Sequence, residues 1–220
     1  SDVELDDLGR PSFELGYDGA WLPVRLTQSG AHQVANATAA AALAIAAGLP
    51  ADVVADRLSG ATSASPWRME VHERADGLLV VNDAYNANPA SMAAAIEALV
   101  AIGERRGRRT VAVLGEMLEL GSTAAGAHRE LGRLVAEAGI DLLVTVGTAA
   151  GGIAEGAASV TDWSGTALPT AGRDEALAAV RENVAAADVV LVKASRGAAL
   201  EHIADGLLDD GPHERRATPC

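Results

Sequence analysis

The segment GLLVVNDAYNANPASMAAAIEALVAI, residues 77–102, holds the chain's architecture in miniature. The unbroken apolar run at residues 78–81 predicts a strand over 77–81 buried on both faces, as strands inside a parallel sheet are. The Asn-rich residues after it cannot continue that strand and predict a loop. Asn88 ahead of Pro89 is the signature of a helix start, a side-chain cap followed by a proline in the first turn. Met92, Ile96, Leu99 and Val100 then recur at helical spacing, so a helix over 89–102 lays that face on the sheet.

Toward the C-terminus the same unit repeats in kind. Strands are predicted over 110–114, 142–146 and 189–192, with helices over 124–138 and 174–184, the latter turning Leu177, Val180 and Val184 inward. Such alternation predicts an α/β fold, a Rossmann-like mainly parallel sheet flanked by helices. Toward the N-terminus the pattern differs. Short β segments at 3–5, 12–15 and 21–26, the last two separated by the turn-prone GYDG at 16–19, precede an alanine-rich helix over 32–47 that Gly48 stops. Pro50 opens a second helix over 51–58. Residues 59–66 are small and polar and end in Pro66, so a hinge or linker is expected there, dividing residues 1–66 from 67–220.

Composition limits the function. Nearly half of the 220 residues are apolar but only 3% are aromatic, so the core must be built from Ala, Val, Leu and Ile in close helix–sheet packing. With 30 acidic against 17 basic residues, the formal charge of −13 argues against nucleic acid as a partner. The single cysteine, Cys220, excludes an intramolecular disulfide framework and fits a reducing, cytoplasmic setting. The N-terminus lacks the features of an export signal, and no apolar run approaches a membrane span, so membrane insertion is not expected.

In an open parallel sheet, ligands bind beyond the carboxyl ends of the strands, where helix N-termini attract anions. Three strands here lead into loops rich in polar groups: residues 82–89, GEMLELG at 115–121, and Lys193-Ala194-Ser195-Arg196-Gly197. These ends are expected on one rim. Asp83 is either an ordinary turn acid or an acceptor of ribose hydroxyls, the part acids play in dinucleotide folds. Lys193 is the chain's only lysine. It reads as functional rather than as a replaceable surface cation. Arg105, Arg106, Arg108 and Arg109 around Gly107 read as a solvated turn. His72, His202 and His213 lack metal-ligand spacing. No Walker A loop is present, since Lys193 has no glycine cradle before it and alanine after it.

These residues resemble a family. GAHQVANATAA at 30–40 is similar to the helix start that closes the central ATPase domain of Mur ligases, and Trp67-Arg68-Met69 to the arginine element that opens their C-terminal domain. Folylpolyglutamate synthetases share both motifs. The stretches DAYNANPASM at 83–92 and LGEMLELG at 114–121 look like the MurF type, and the Tyr85-Asn86-Ala87-Asn88 loop departs from the His-Asn pair of the folate enzymes. The likeness runs to about Leu208. It implies that 1–66 is the end of a central ATPase domain and 67–220 a C-terminal domain. It also implies that Asn36 contacts the adenine region, Arg68 the γ-phosphate as the catalytic group, Asp83 the ribose, and that Trp67 lies against the base. Tyr85, Asn86 and Asn88 would line the cleft where nucleotide and peptide substrates meet. Lys193, Ser195 and Arg196 would face the dipeptide carboxylate or the phosphates. The family usually shows Lys-Gly-Ser-Arg there, and Ala194 replaces the glycine.

The implied reaction is ATP-dependent. A tripeptide carboxylate on UDP-N-acetylmuramoyl-tripeptide is activated to an acyl phosphate, and the amine of D-alanyl-D-alanine displaces phosphate to form an amide in peptidoglycan synthesis. The P-loop and the Mg2+ ligands of such an enzyme are expected outside this chain, which alone would be inactive. The alternative is a stand-alone Rossmann-like module that binds a nucleotide or amino acid without catalysis.

Overall fold

Side chains alternate across a strand, and here both alternating sets are apolar. Leu79 and Val81 face one layer of helices while Leu78 and Val80 face another. The computed structural model that shows this describes residues 1–63 and 65–209. Cys220, His213 and the remainder of the tail beyond Asp209 lie outside the described residues, as does Ala64 in the expected linker.

The chain opens with an antiparallel meander of β1 (Glu4–Leu5), β2 (Pro11–Tyr17) and β3 (Ala20–Arg25), followed by α1 (Gln33–Ala46) and α2 (Ala51–Ser59). Phe13, Leu15, Val24 and Leu26 of the strand region meet Ala37 and Ala41 of α1 and Val54 and Ala55 of α2 in a small core of their own.

Next come β4 (Glu70–Glu73), β5 (Leu79–Asp83), α3 (Pro89–Arg106), β6 (Thr110–Leu114), α4 (Ala124–Glu137), β7 (Leu142–Val146), α5 (Gly151–Ala158), β8 (Thr166–Thr170), α6 (Arg173–Asn183), β9 (Val189–Lys193) and α7 (Glu201–Asp209). The six strands form one sheet in the order β4-β5-β9-β6-β7-β8, parallel except for β4. One face carries α3, α4 and α5, the other α6 and α7.

The expected mainly parallel α/β sheet is present, and α3 starts as expected. The Asn88 side chain accepts from the Ser91 amide at 2.9 Å while the Ser91 hydroxyl accepts from the Asn88 amide at 3.1 Å. Four elements were not expected from sequence. The strands β4 and β8 lie at the sheet's two edges, where a strand needs one partner and no doubly apolar pattern. Helix α5 contains three poor helix formers among its eight residues, Gly151, Gly152 and Gly156. Its reason is tertiary: a Cβ on Gly156 would sit 2.0 Å from the Arg129 carbonyl oxygen, and one on Gly132 would sit 1.9 Å from that of Ile153. Bare backbone lets α4 and α5 touch. Helix α7 buries Ile203, Ala204 and Leu207 against the sheet.

The arginine-rich turn corrects the sequence reading. Arg106 reaches Asp7 at 2.7 Å and Glu73 at 3.0 Å, Arg108 donates to the Gly77 carbonyl at 2.8 Å, and Arg109 to that of Asn183 at 2.8 Å. Arg105 is exposed, on the Ala101 carbonyl of its own helix, as a solvated turn would have it, while Arg106, Arg108 and Arg109 brace the turn across three segments. Composition cannot reveal this, because the partners are 31 to 99 positions away.

Candidate functional site

Strands β5, β9 and β6 end level with one another. Asp83 pairs with Lys193 across one ladder, and Lys193 with Leu114 across the next. The chain leaves β5 for α3 on one face and β9 for α7 on the other, so a crevice opens where the connections diverge. The three expected strand ends therefore share one rim.

At its centre the Lys193 ammonium, its side chain 3% exposed, donates to Asp83 Oδ2 at 2.6 Å and to the Asn86 carbonyl at 2.8 Å. Asp83 Oδ1 accepts from the Met69 amide at 3.1 Å. Burial raises the Asp83 pKa above its ordinary value, against the opposing pull of Lys193. A buried lysine is tolerated here because a carboxylate and a carbonyl satisfy it.

A cleft of about 660 Å³ separates this rim from the start of α1. Its lining includes Asn36, Arg68, Asp83, Tyr85, Asn86, Asn88 and Lys193. The Arg68 guanidinium lies 4.0 Å over the Tyr85 ring, a cation–π contact that holds it at the cleft wall. From α1, Asn36 donates to Gln33 at 3.0 Å. The His32 ring folds over Gly30, whose φ of 109° and missing side chain make that possible: a Cβ there would lie 2.5 Å from the ring. Desolvation lowers the His32 pKa, with Asp83 pulling it up and Lys193 pushing it down. The N-terminal turns of α1 and α3 border the cleft, and helix N-termini favour anions. A guanidinium, a fixed carboxyl, amide side chains and two helix starts suit a ligand with hydroxyls and negative charge.

Three expected site residues sit elsewhere. Trp67 and Arg196 do not line this cleft. They stack on each other at 4.0 Å, with Trp67 packed toward the layer of α6 and α7. Ser195, 4% exposed, accepts from the Leu118 amide at 2.9 Å and reaches the Ala87 carbonyl at 3.4 Å, while its own amide bonds Glu116 at 3.0 Å. Its hydroxyl joins loops rather than facing open space. Ala194 is fully buried, its methyl 2.7 Å from where a Cβ on Gly115 would stand. Gly115 makes the room that alanine at 194 requires. Sequence reasoning passed over His128, buried behind the 115–121 loop. Its only sequence signal is a polar residue on the inward face of an amphipathic helix.

The family description "Mur ligase, glutamate ligase domain" matches residues 67–196. The UDP-N-acetylmuramoyl-tripeptide–D-alanyl-D-alanine ligase of Mycobacterium tuberculosis is 43% identical, aligned over 94% of this chain and 44% of that protein. Among solved structures, MurF from Acinetobacter baumannii superposes with a TM-score of 0.81 at 30% identity, over 96% of this chain and 44% of that one. MurF from Thermotoga maritima in complex with ADP gives 0.75 at 25%, over 94% and 44%. The chain thus spans less than half the length of each of these relatives.

Proposed function

The chain belongs to the Mur ligase family, and on that premise we propose that it is the C-terminal portion of a MurF-type ligase that joins D-alanyl-D-alanine to UDP-N-acetylmuramoyl-tripeptide at the expense of ATP. The observation that carries this reading is the cleft between α1 and the Asp83–Lys193 rim, with Arg68 held on its wall. A nucleotide fits its chemistry. Asn36 would meet the adenine region, Asp83 the ribose hydroxyls, and Arg68 the terminal phosphate, where a fixed guanidinium stabilises the oxygens of a transferring phosphoryl group. ADP bound to the Thermotoga maritima relative supports this choice of ligand.

Residues 1–66 would be the end of the ATPase domain and 67 onward the C-terminal domain, with 59–66 as the hinge between them. Helix α2 ends at Ser59, in keeping with that. Lys193 would serve the nucleotide indirectly by fixing Asp83 and Asn86. Arg196, exposed beside Trp67, is the candidate for the dipeptide carboxylate. The P-loop and Mg2+ ligands belong in this reading to the part of the ligase that the chain does not span. Without them the cleft binds nucleotide but does not cleave it, since only interactions strengthened in the transition state accelerate chemistry.

The test is phosphate release by the purified chain with ATP, tripeptide precursor and D-alanyl-D-alanine, followed by addition of the separately produced remainder of the ligase. The chain alone should give no turnover, and the reconstituted pair should give turnover that Arg68→Ala abolishes. Steady, Arg68-dependent turnover by the chain alone would overturn the division of the site.

A further inference from the structure

Helix α4 is amphipathic, and the inward position at His128 is filled by an imidazole. Its environment is specific. The ring is 4% exposed, Nδ1 lies 2.7 Å from the Ala124 carbonyl oxygen, and Nε2 lies 2.9 Å from the Met117 amide nitrogen. A carbonyl can only accept and an amide N–H can only donate, so Nδ1 carries the proton and Nε2 is the acceptor. Gly152 of α5 closes the other side, where a Cβ would stand 3.3 Å from that of His128. The tautomer and the ring position are thus both set.

Met117 is the middle of three residues that grip the neighbouring loop. On one side the Glu116 carbonyl accepts from the Ser195 amide at 3.0 Å, and on the other the Leu118 amide donates to Ser195 Oγ at 2.9 Å. Ser195 Oγ in turn reaches the Ala87 carbonyl at 3.4 Å. Ala87 follows Asn86, whose carbonyl is held by Lys193. One hydrogen-bonded path therefore runs from α4, through the ends of β6 and β9, to the loop that forms the cleft wall.

We propose that His128 is a positioning residue of the cleft, which sets the Glu116–Leu118 backbone and, through Ser195, the placement of Asn86 and Lys193. The ring touches no ligand position. A leucine would fill the space but leave the Met117 amide unpaired and the loop free to shift. A glutamine can offer a carbonyl oxygen close to where Nε2 sits. This inference rests on the nucleotide reading only for its effect on binding; the loop coupling stands apart from it.

The experiment compares the chain with His128→Leu and His128→Gln by amide hydrogen exchange and by ADP titration. Losing a buried amide's acceptor should speed exchange at Met117 and Leu118 about tenfold or more in His128→Leu, while Val144 and Val190 in the sheet stay protected. ADP affinity should weaken about tenfold in step. His128→Gln should recover most of both. Unchanged exchange at Met117 and Leu118 would overturn the proposal, as would a loss of protection shared equally by the sheet, which marks a plain core residue. If the unsubstituted chain binds no ADP, the nucleotide reading fails, and the exchange pattern still decides the role of His128.

Discussion

The two halves of the chain satisfy their apolar surface differently. Among the described residues, the large hydrophobic side chains left exposed are Val3, Tyr17, Trp21, Leu43, Leu49 and Val53, which precede the expected linker, and Leu118, which follows it. The six-stranded body closes two cores against two helix layers, with Leu8 of the first region packed against one of them. The first part closes one small core and leaves the outer surfaces of β3 and α1 bare, with Trp21 63% and Leu43 74% exposed. In the proposed reading the first region would be a wall belonging to a larger assembly, and the second the domain that brings its rim to that wall. The proposed function gives this contrast a reason, since the part of the ligase that this chain does not span would include the rest of the ATPase domain.

The contrast makes the second region the sensitive one. The largest effect is expected at the buried pair. Asp83→Ala strands the Lys193 ammonium in a site it cannot leave, at a cost of about 3–5 kcal/mol. Lys193→Met should cost less, about 1–3 kcal/mol, because the Asp83 carboxyl can take up a proton instead. The sign of the pH dependence follows from the raised pKa of Asp83. The folded state holds this proton more tightly than the unfolded one, so the contribution is complete below 3.8 and declines as pH rises through the folded value. Denaturant melts of both variants as pH is raised from below 3.8 should show Lys193→Met losing stability with rising pH. Equal costs for the two substitutions would mean that the pair is not desolvated.

Next in size is Gly156→Val, which forces a side chain into the Arg129 carbonyl and should cost about 3 kcal/mol by separating α4 from α5. A neutral result would show that the two helices slide freely. The smallest effect belongs to the first region. Leu43→Ser should change stability by about 0.5 kcal/mol or less, since the side chain has no core to leave, and should improve solubility. A large loss there would show that Leu43 is covered in solution by another copy of the chain.

The same division governs what could be read from the amino acids. The doubly buried strands, the Asn88–Pro89 helix start and the convergence of three strand ends were legible because each is a local pattern with a single physical cause. Helix α5 was not, because its glycines contradict local propensity and make sense only against Gly132 and Arg129 of another helix. The bracing role of Arg106 was hidden for the same reason. At the site, Asp83 and Lys193 were singled out separately, one as a strand-end acid and one as the chain's only lysine, and their bond joins the two observations. Ser195 and Arg196 were grouped by the family resemblance, yet neighbours beyond a strand end point different ways: one hydroxyl turns in to the 115–121 loop and one guanidinium turns out onto Trp67.

Whether the cleft between α1 and the Asp83–Lys193 rim is a nucleotide site can be read from a nitrogen–proton correlation spectrum of the chain titrated with ADP. Saturable shifts should concentrate at Asn36, Arg68, Asp83 and Asn86 and vanish in an Asn36→Ala, Arg68→Ala double variant that still folds. Shifts confined to surfaces away from these residues, or none at millimolar ADP, would contradict the assignment of this cleft.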